Sequence, residues 1–189
     1  MIDKGGAAAA YGPLLEESLR TFRELGYRGA EAEVLGALAE IPYAEGDLQR
    51  AIELTLESAR VALQDGWRFW AGMQLNGAAA LELERGNLDA VQDHALAALD
   101  LDLQIDANRG ALACAAKLAL IAAERGQAER AGRLWGAIES EQESRPVPKW
   151  ERIRAQCEDR VLRADGETFA RARAEGRLLS IARAAGLDG

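Results

Sequence analysis

Three glycine-led tripeptides decide the fold of this chain: Gly46-Asp47-Leu48, Gly86-Asn87-Leu88 and Gly126-Gln127-Ala128. They recur with a constant 40-residue period, and each follows a short charged segment. Glycine at such a place ends a helix, because it adopts the left-handed backbone conformation at little cost. Asp47 and Asn87 then stand where a new helix starts, and their side chains can cap its unpaired backbone amides.

A second series of turns lies between the first three, again with the 40-residue period. It consists of Leu25-Gly26-Tyr27-Arg28, Asp65-Gly66-Trp67-Arg68 and Ile105-Asp106-Ala107-Asn108. Two turns per period predict two helices per period, and apolar residues at three- and four-residue steps support helices between the turns. We predict helices over residues 12–25, 28–44, 48–65, 68–85, 88–105, 108–125 and 128–143. The helix over 108–125 is apolar on most of its circumference, so we expect it to be the most buried.

The prolines interrupt this pattern. Pro42 is expected to kink or end its helix one turn before Gly46, because proline lacks the amide hydrogen and clashes with the preceding turn. Pro146 and Pro148 end the 40-residue period, and beyond them we predict helices over 149–164, 167–175 and 177–185. A terminal segment that covers an exposed apolar face is expected in a repeat array.

The predicted organisation is a disordered lead-in over residues 1–11, helical repeats over 12–145 and capping helices over 146–189. An alternative places Met1 at a cut inside a longer natural protein. With 49% hydrophobic, 29% charged and only 5% aromatic residues, the composition favours helix and disfavours sheet. The predicted fold is therefore all-α, a right-handed stack of antiparallel helix pairs.

Charge and residue usage narrow the function classes. A net charge of −8 offers no basic surface for direct binding to nucleic acid or to an anionic membrane. Cys114 and Cys157 have no C-x-x-C spacing, which favours buried thiols and a cytoplasmic location over a disulfide. With His94 as the single histidine, we expect no metal site, no cofactor and no Ser-His-Asp arrangement.

Small residues stand where paired helices would touch. They are found in Leu38-Ala39, Ala78-Ala79 and Leu118-Ala119, and at Ala51 and Ala131, with Val91 at the matching position of the middle repeat. This arrangement resembles tetratricopeptide (TPR) repeats, and the 40-residue length is similar to that of the MalT-like sensor regions of bacterial regulators.

The resemblance is most specific near the C-terminus. The segments that carry it are residues 126–139, Pro146-Val147-Pro148, residues 165–169 and residues 174–177. In this order they resemble the C-terminal TPR segment of bacterial LuxR-type and AfsR-like signal-transduction ATPase regulators, with Arg173 where that pattern usually has tryptophan. The resemblance implies a sensor or scaffolding region. The chain contains neither a G-x-x-x-x-G-K-[ST] loop nor a basic helix-turn-helix, so ATP hydrolysis and DNA binding are not implied.

In TPR-like stacks the first helix of each pair lines the concave binding face. Counting from the glycine turns places Glu33, Glu40 and Tyr43 there in the first repeat, and Met73, Asn76 and Leu83 in the second. The third repeat contributes Ala113, Ala116 and Leu120. Trp70, with Trp67 and Phe69, either packs between repeats or anchors a ligand.

Two function classes remain. The first is a non-catalytic interaction or sensor module that binds a protein segment or effector, with adjoining domains of a parent regulator and self-association as further options. The alternative is an enzyme with an unrecognised acidic site, for example Glu31 with Glu33 or Glu82 with Glu84. Helix residues two apart do not face each other, which favours the interaction module. The acidic first repeat and apolar later repeats predict a partner with a basic residue beside hydrophobic anchors.

Overall fold

The structure, a computed structural model, describes residues 4–164 and 166–187, with side chains from residue 11 onward. All regular elements within these ranges are helical, which confirms the predicted all-α fold. The helices form two compact units, residues 1–87 and residues 88–189.

Unit 1 contains four helices: α1 (Lys4–Leu25), α2 (Arg28–Glu45), α3 (Leu48–Gln64) and α4 (Arg68–Arg85). Each packs against the next one along the chain. The core between them is built largely from small and aliphatic side chains, among them Ala32, Leu35, Ala51, Val61, Ala71 and Ala78. Alanine at these positions lets the helix axes approach closely, as the sequence predicts for paired helices.

Unit 2 contains α5 (Leu88–Gln104), α6 (Asn108–Glu124), α7 (Ala128–Ser144), α8 (Trp150–Val161), a 3-10 turn (Leu162–Ala164), α9 (Glu167–Gly176) and α10 (Ile181–Ala185). Helix α6 packs against α5, α7 and α8, and α9 lies against α7. Because three helices surround it, α6 has more buried residues than any other described helix, as predicted. The C-terminal helices thus cover the last repeat of this unit.

The turns follow the predicted period. Helices α2, α4 and α6 begin one period apart, at Arg28, Arg68 and Asn108, and α3, α5 and α7 keep the same spacing. Gly46 and Gly86 end their helices in the left-handed conformation, with φ of 84° and 76°. The Asp47 side chain caps α3 by accepting a hydrogen bond of 3.0 Å from the Arg50 amide.

Three predicted boundaries need correction. Helix α1 begins at Lys4 rather than residue 12, so residues 4–11 of the expected lead-in are helical, and residues 1–3 lie outside the described ranges. Pro42 is buried inside α2, which continues to Glu45, because near a helix end proline removes a single backbone hydrogen bond. Helix α10 begins only at Ile181, where the Ser180 hydroxyl caps it by accepting from the Arg183 amide.

Candidate functional site

The predicted binding residues of the first two repeats are carried by α2 and α4 of unit 1. Glu33 and Glu40 are exposed, and Tyr43 and Met73 are each 43% exposed. The remaining predicted residues, Asn76 and Leu83, are half-buried. We call these six residues, together with Ala80 and Glu84 of α4, the open face.

Helices α2 and α4 meet along this face. The Tyr43 hydroxyl of α2 donates a hydrogen bond of 3.2 Å to Glu84 Oε1 of α4. Further along α2, Gly36 lies beneath Trp70 and Gln74 of α4, and a Cβ added at Gly36 would be 3.2 Å from the Trp70 ring. The two helices therefore contact each other at more than one point along the open face.

One end of the open face is acidic. The charge of Glu84 and its hydrogen bond raise the pKa of Tyr43, and the charge of Glu40 acts in the same direction. The charges of Glu40 and Glu84 thus both disfavour ionisation of the Tyr43 phenol, near the C-terminal ends of α2 and α4. From the sequence, Glu84 is expected only in a possible acidic pair with Glu82 and not on the binding face, although Glu124 stands at the matching position of the next repeat.

Trp70 joins three helices of unit 1. Its indole Nε1 donates a hydrogen bond of 3.0 Å to Ser58 Oγ of α3, and that hydroxyl donates to the Ala32 carbonyl of α2. The Trp70 ring also stacks on Trp67, with centroids 5.1 Å apart. These contacts favour the packing interpretation for Trp67 and Trp70, whereas Phe69 is 56% exposed.

The third-repeat residues of the predicted face are covered. Ala113, Ala116 and Leu120 of α6 are buried. Helix α8 packs against α6, where Arg160 Nε of α8 donates a hydrogen bond of 2.7 Å to Glu124 Oε1. The prediction that these three residues are available to a partner is therefore wrong. The reason is that the C-terminal segment of the same chain returns onto α6.

The carboxylate pairs considered for an acidic enzyme do not converge. Burial by itself would raise the pKa of Glu31, but hydrogen bonds from Arg23 (2.9 Å) and Arg28 (2.8 Å) hold it below its ordinary value. Glu82 is also buried and forms an ion pair with Arg85 at 3.3 Å. In contrast, Glu33 and Glu84 are exposed. One member of each pair is thus a structural ion-pair partner and the other faces solvent.

Asp102 is a buried carboxyl in unit 2. Burial raises its pKa to about 6. A hydrogen bond of 3.8 Å from the Cys114 thiol lowers the pKa, but burial has the larger effect. Burial also raises the pKa of Cys114 to about 12, so this thiol is protonated and a poor nucleophile at neutral pH. Cys114 and Cys157 are both buried and free, as the sequence predicts. The cysteine beside Asp102 is therefore not activated for catalysis.

Metal-binding groups, membrane-spanning helices and similarity to known proteins do not assign a function to this chain. Within the described ranges, no group of three His, Cys, Asp or Glu side chains could hold a metal ion. None of the helices in that part of the chain combines the length and apolar character that a membrane span requires. No family model matches the chain, and no curated protein or solved structure matches it either.

Proposed function

We propose that this chain is a non-catalytic interaction or sensor module that binds a protein segment on the open face of α2 and α4. Its similarity to the C-terminal TPR segment of LuxR-type and AfsR-like regulators supports a role within, or related to, a bacterial transcriptional regulator. In that setting the bound segment comes from an adjoining domain of the regulator or from a separate protein.

One observation carries this proposal. Matching positions of the 40-residue repeat are exposed or half-buried in unit 1 and buried in unit 2. Glu33 and Met73 match Ala113, and Glu40 and Ala80 match Leu120. In unit 2, Ala113 and Leu120 lie on the same face of α6 as Glu124, which pairs with Arg160 of α8, so we infer that α8 covers these positions. The exposed and half-buried positions of unit 1 therefore match positions that pack against another helix in unit 2.

The charge of the open face indicates the partner's charge. Glu33, Glu40 and Glu84 of the open face are exposed, as are Tyr43 and Met73, and Glu84 accepts a hydrogen bond from Tyr43. An acidic surface with apolar anchors is complementary to a segment that carries a basic residue beside hydrophobic ones. A partner's terminal carboxylates would instead need lysines or arginines in the groove. The predicted ligand is therefore basic and apolar, and not an acidic C-terminus.

The alternative of an acidic enzyme has less support. Acid-base catalysis needs positioned groups within hydrogen-bonding reach of a substrate. Glu31 and Glu82 are held by arginines, and Asp102 is packed against α6 between helices of unit 2.

Titration of the full chain with basic, neutral and acidic amphipathic peptides, and with candidate adjoining domains, tests the proposal. We expect a basic amphipathic peptide to bind, and Glu40→Lys and Met73→Ala each to weaken binding about tenfold or more, or about 1.4 kcal/mol. Glu53→Lys is the matched control, because it makes the same charge change at an exposed site on α3.

Two results would contradict the proposal. One is binding that neither open-face substitution weakens by more than about twofold. The other is the absence of binding by every peptide and domain at concentrations up to about 1 mM, which corresponds to a binding free energy weaker than about −4 kcal/mol.

A further inference from the structure

We infer that the segment bound by the open face is an amphipathic α-helix of about three turns with a basic residue near its C-terminal end. It docks on α4 as α8 docks on α6. This inference rests on the proposed function and specifies the class of its partner.

Helix α8 shows how this chain accommodates such a helix. Its apolar stripe consists of Trp150, Ile153, Cys157 and Val161, spaced by three or four residues. Trp150, Cys157 and Val161 are buried, and Ile153 is half-buried. Beside the stripe, Arg160 forms its hydrogen-bonded ion pair with Glu124 of α6. Helix α8 thus presents one apolar stripe and, near its C-terminal end, one arginine that pairs with α6.

The surface that receives α8 has a counterpart on α4. The α6 positions Ala113, Ala116, Leu120 and Glu124 correspond, one repeat earlier, to Met73, Asn76, Ala80 and Glu84. Both helices therefore carry a glutamate at the same place near the C-terminal end. Both glutamates are exposed, but Glu124 binds Arg160, whereas Glu84 accepts a hydrogen bond from Tyr43.

The dimensions also match. The α4 positions from Met73 to Glu84 span about 17 Å at 1.5 Å per residue, and the stripe from Trp150 to Val161 has the same length. Gly77 and Ala80 are small, which lets a second helix approach at the 8–10 Å interaxial distance of packed helices. Met73 and Leu83 provide apolar contacts at the two ends of this surface. A helix can therefore use the same packing on α4 that α8 uses on α6.

Charge favours a basic residue at one end of the bound helix. Glu84, which corresponds to Glu124, accepts a hydrogen bond from Tyr43, and Glu40 lies one helical turn before Tyr43 on α2. An arginine in the position of Arg160 would pair with Glu84, and the charge of Glu40 would add to the attraction. This doubled negative charge distinguishes the open face from the α6 surface, where Glu124 pairs with Arg160.

The probe is a peptide of residues 149–164 of this chain, carrying Cys157→Ser to prevent oxidation, titrated into the full chain. We expect it to bind the wild-type protein. A Gln156→Pro peptide, whose helix is broken, should bind about tenfold more weakly or worse. An Arg160→Glu peptide should lose a similar factor, and Glu84→Arg in the protein should restore its binding.

Each other outcome overturns the inference. A Gln156→Pro peptide that binds within about twofold shows that the bound segment is extended; if Glu40→Lys still weakens it, the proposed function survives. If Glu84→Arg in the protein does not change the binding of the peptides, the probe has displaced α8 from its site on α6. A failure of the probe to bind also contradicts the inference. Concentration-dependent self-association in sedimentation, abolished by Glu84→Arg, would identify a second copy as the occupant instead of a separate helix.

Discussion

Burial governs the chemistry of Asp102, a single carboxyl of α5. Its oxygens lie so close to Gly110 of α6 that an added Cβ there would be 2.3 Å from Oδ2. Asp102 is 4% exposed, and the loss of hydration disfavours its charged form. Its folded-state pKa of about 6 lies above the ordinary value of 3.8. Protonated Asp102 is therefore compatible with folding, and ionised Asp102 opposes it.

The sign of the resulting pH dependence follows from linkage. Between pH 4 and 6 the folded state holds the Asp102 proton more tightly than the unfolded state, so its contribution to stability falls as pH rises. Replacing Asp102 with asparagine removes this contribution. We expect the Asp102→Asn protein to be more stable than wild type at pH 7 by about 3 kcal/mol, since one pKa unit is about 1.4 kcal/mol. The difference should largely vanish near pH 4.

Urea unfolding of both proteins across this pH range measures the effect. Asp93→Asn, an exposed change on the same helix, is the control and should leave the difference near zero. Wild type and variant must be compared because Glu31 changes the stability of the protein with pH in the opposite direction to Asp102. Its lowered pKa gives stability that is lost as pH falls. A difference between wild type and Asp102→Asn that does not change with pH would contradict the assignment.

At the scale of elements, the crossing of α7 and α9 depends on glycine. A Cβ added at Gly136 would be 2.0 Å from the Arg173 carbonyl oxygen, and one added at Gly176 would be 2.1 Å from the Arg133 carbonyl oxygen. Because these neighbours are backbone atoms, they cannot move aside without shifting a helix. The backbones of α7 and α9 therefore approach as closely as they do only because both helices carry glycine at the contact.

Gly136→Ala should destabilise the protein by about 3 kcal/mol, at the upper end of the effects of overpacking a core. Thermal or denaturant unfolding measures this change. Gly77→Ala is the matched control on α4, where the nearest atom to an added Cβ is Thr55 Cγ2 at 3.8 Å. There the gain in helix propensity of about 1 kcal/mol should make the substitution neutral or stabilising. Equal effects of the two substitutions would show that α7 and α9 do not cross as described.

For the whole molecule, helix is the only regular structure in the residues that the structure describes, and it occurs in both units. The physical cause is the abundance of alanine, leucine, glutamate and arginine, which favour helix, and the scarcity of β-branched residues. The far-ultraviolet circular dichroism spectrum should accordingly show helix alone. Substantial sheet content would contradict both the composition argument and the fold.

Local chemistry explains why the helices and their period were predictable. Glycine adopts the left-handed conformation that ends a helix at little cost, so Gly46 and Gly86 mark helix ends through a local backbone preference. The same holds for Asp47, whose cap involves an amide three residues away. Pro42 is an error of the same local kind, since it remains inside a helix because a proline near the helix end removes a single backbone hydrogen bond.

The sequence by itself determined the all-helical class, the 40-residue period and the burial of α6, because these depend on propensities, turn residues and apolar spacing within short windows. Only the tertiary structure decided which repeat faces are covered. That outcome depends on the path of the chain beyond Pro148, which brings α8 onto α6, where Ala113, Ala116 and Leu120 are buried. It also depends on contacts between distant residues, such as Tyr43 with Glu84, which helical periodicity does not encode. The exposure of Met73 and the partial exposure of Ala80 on α4 are therefore properties of packing, since the matching residues Ala113 and Leu120 of α6 are buried.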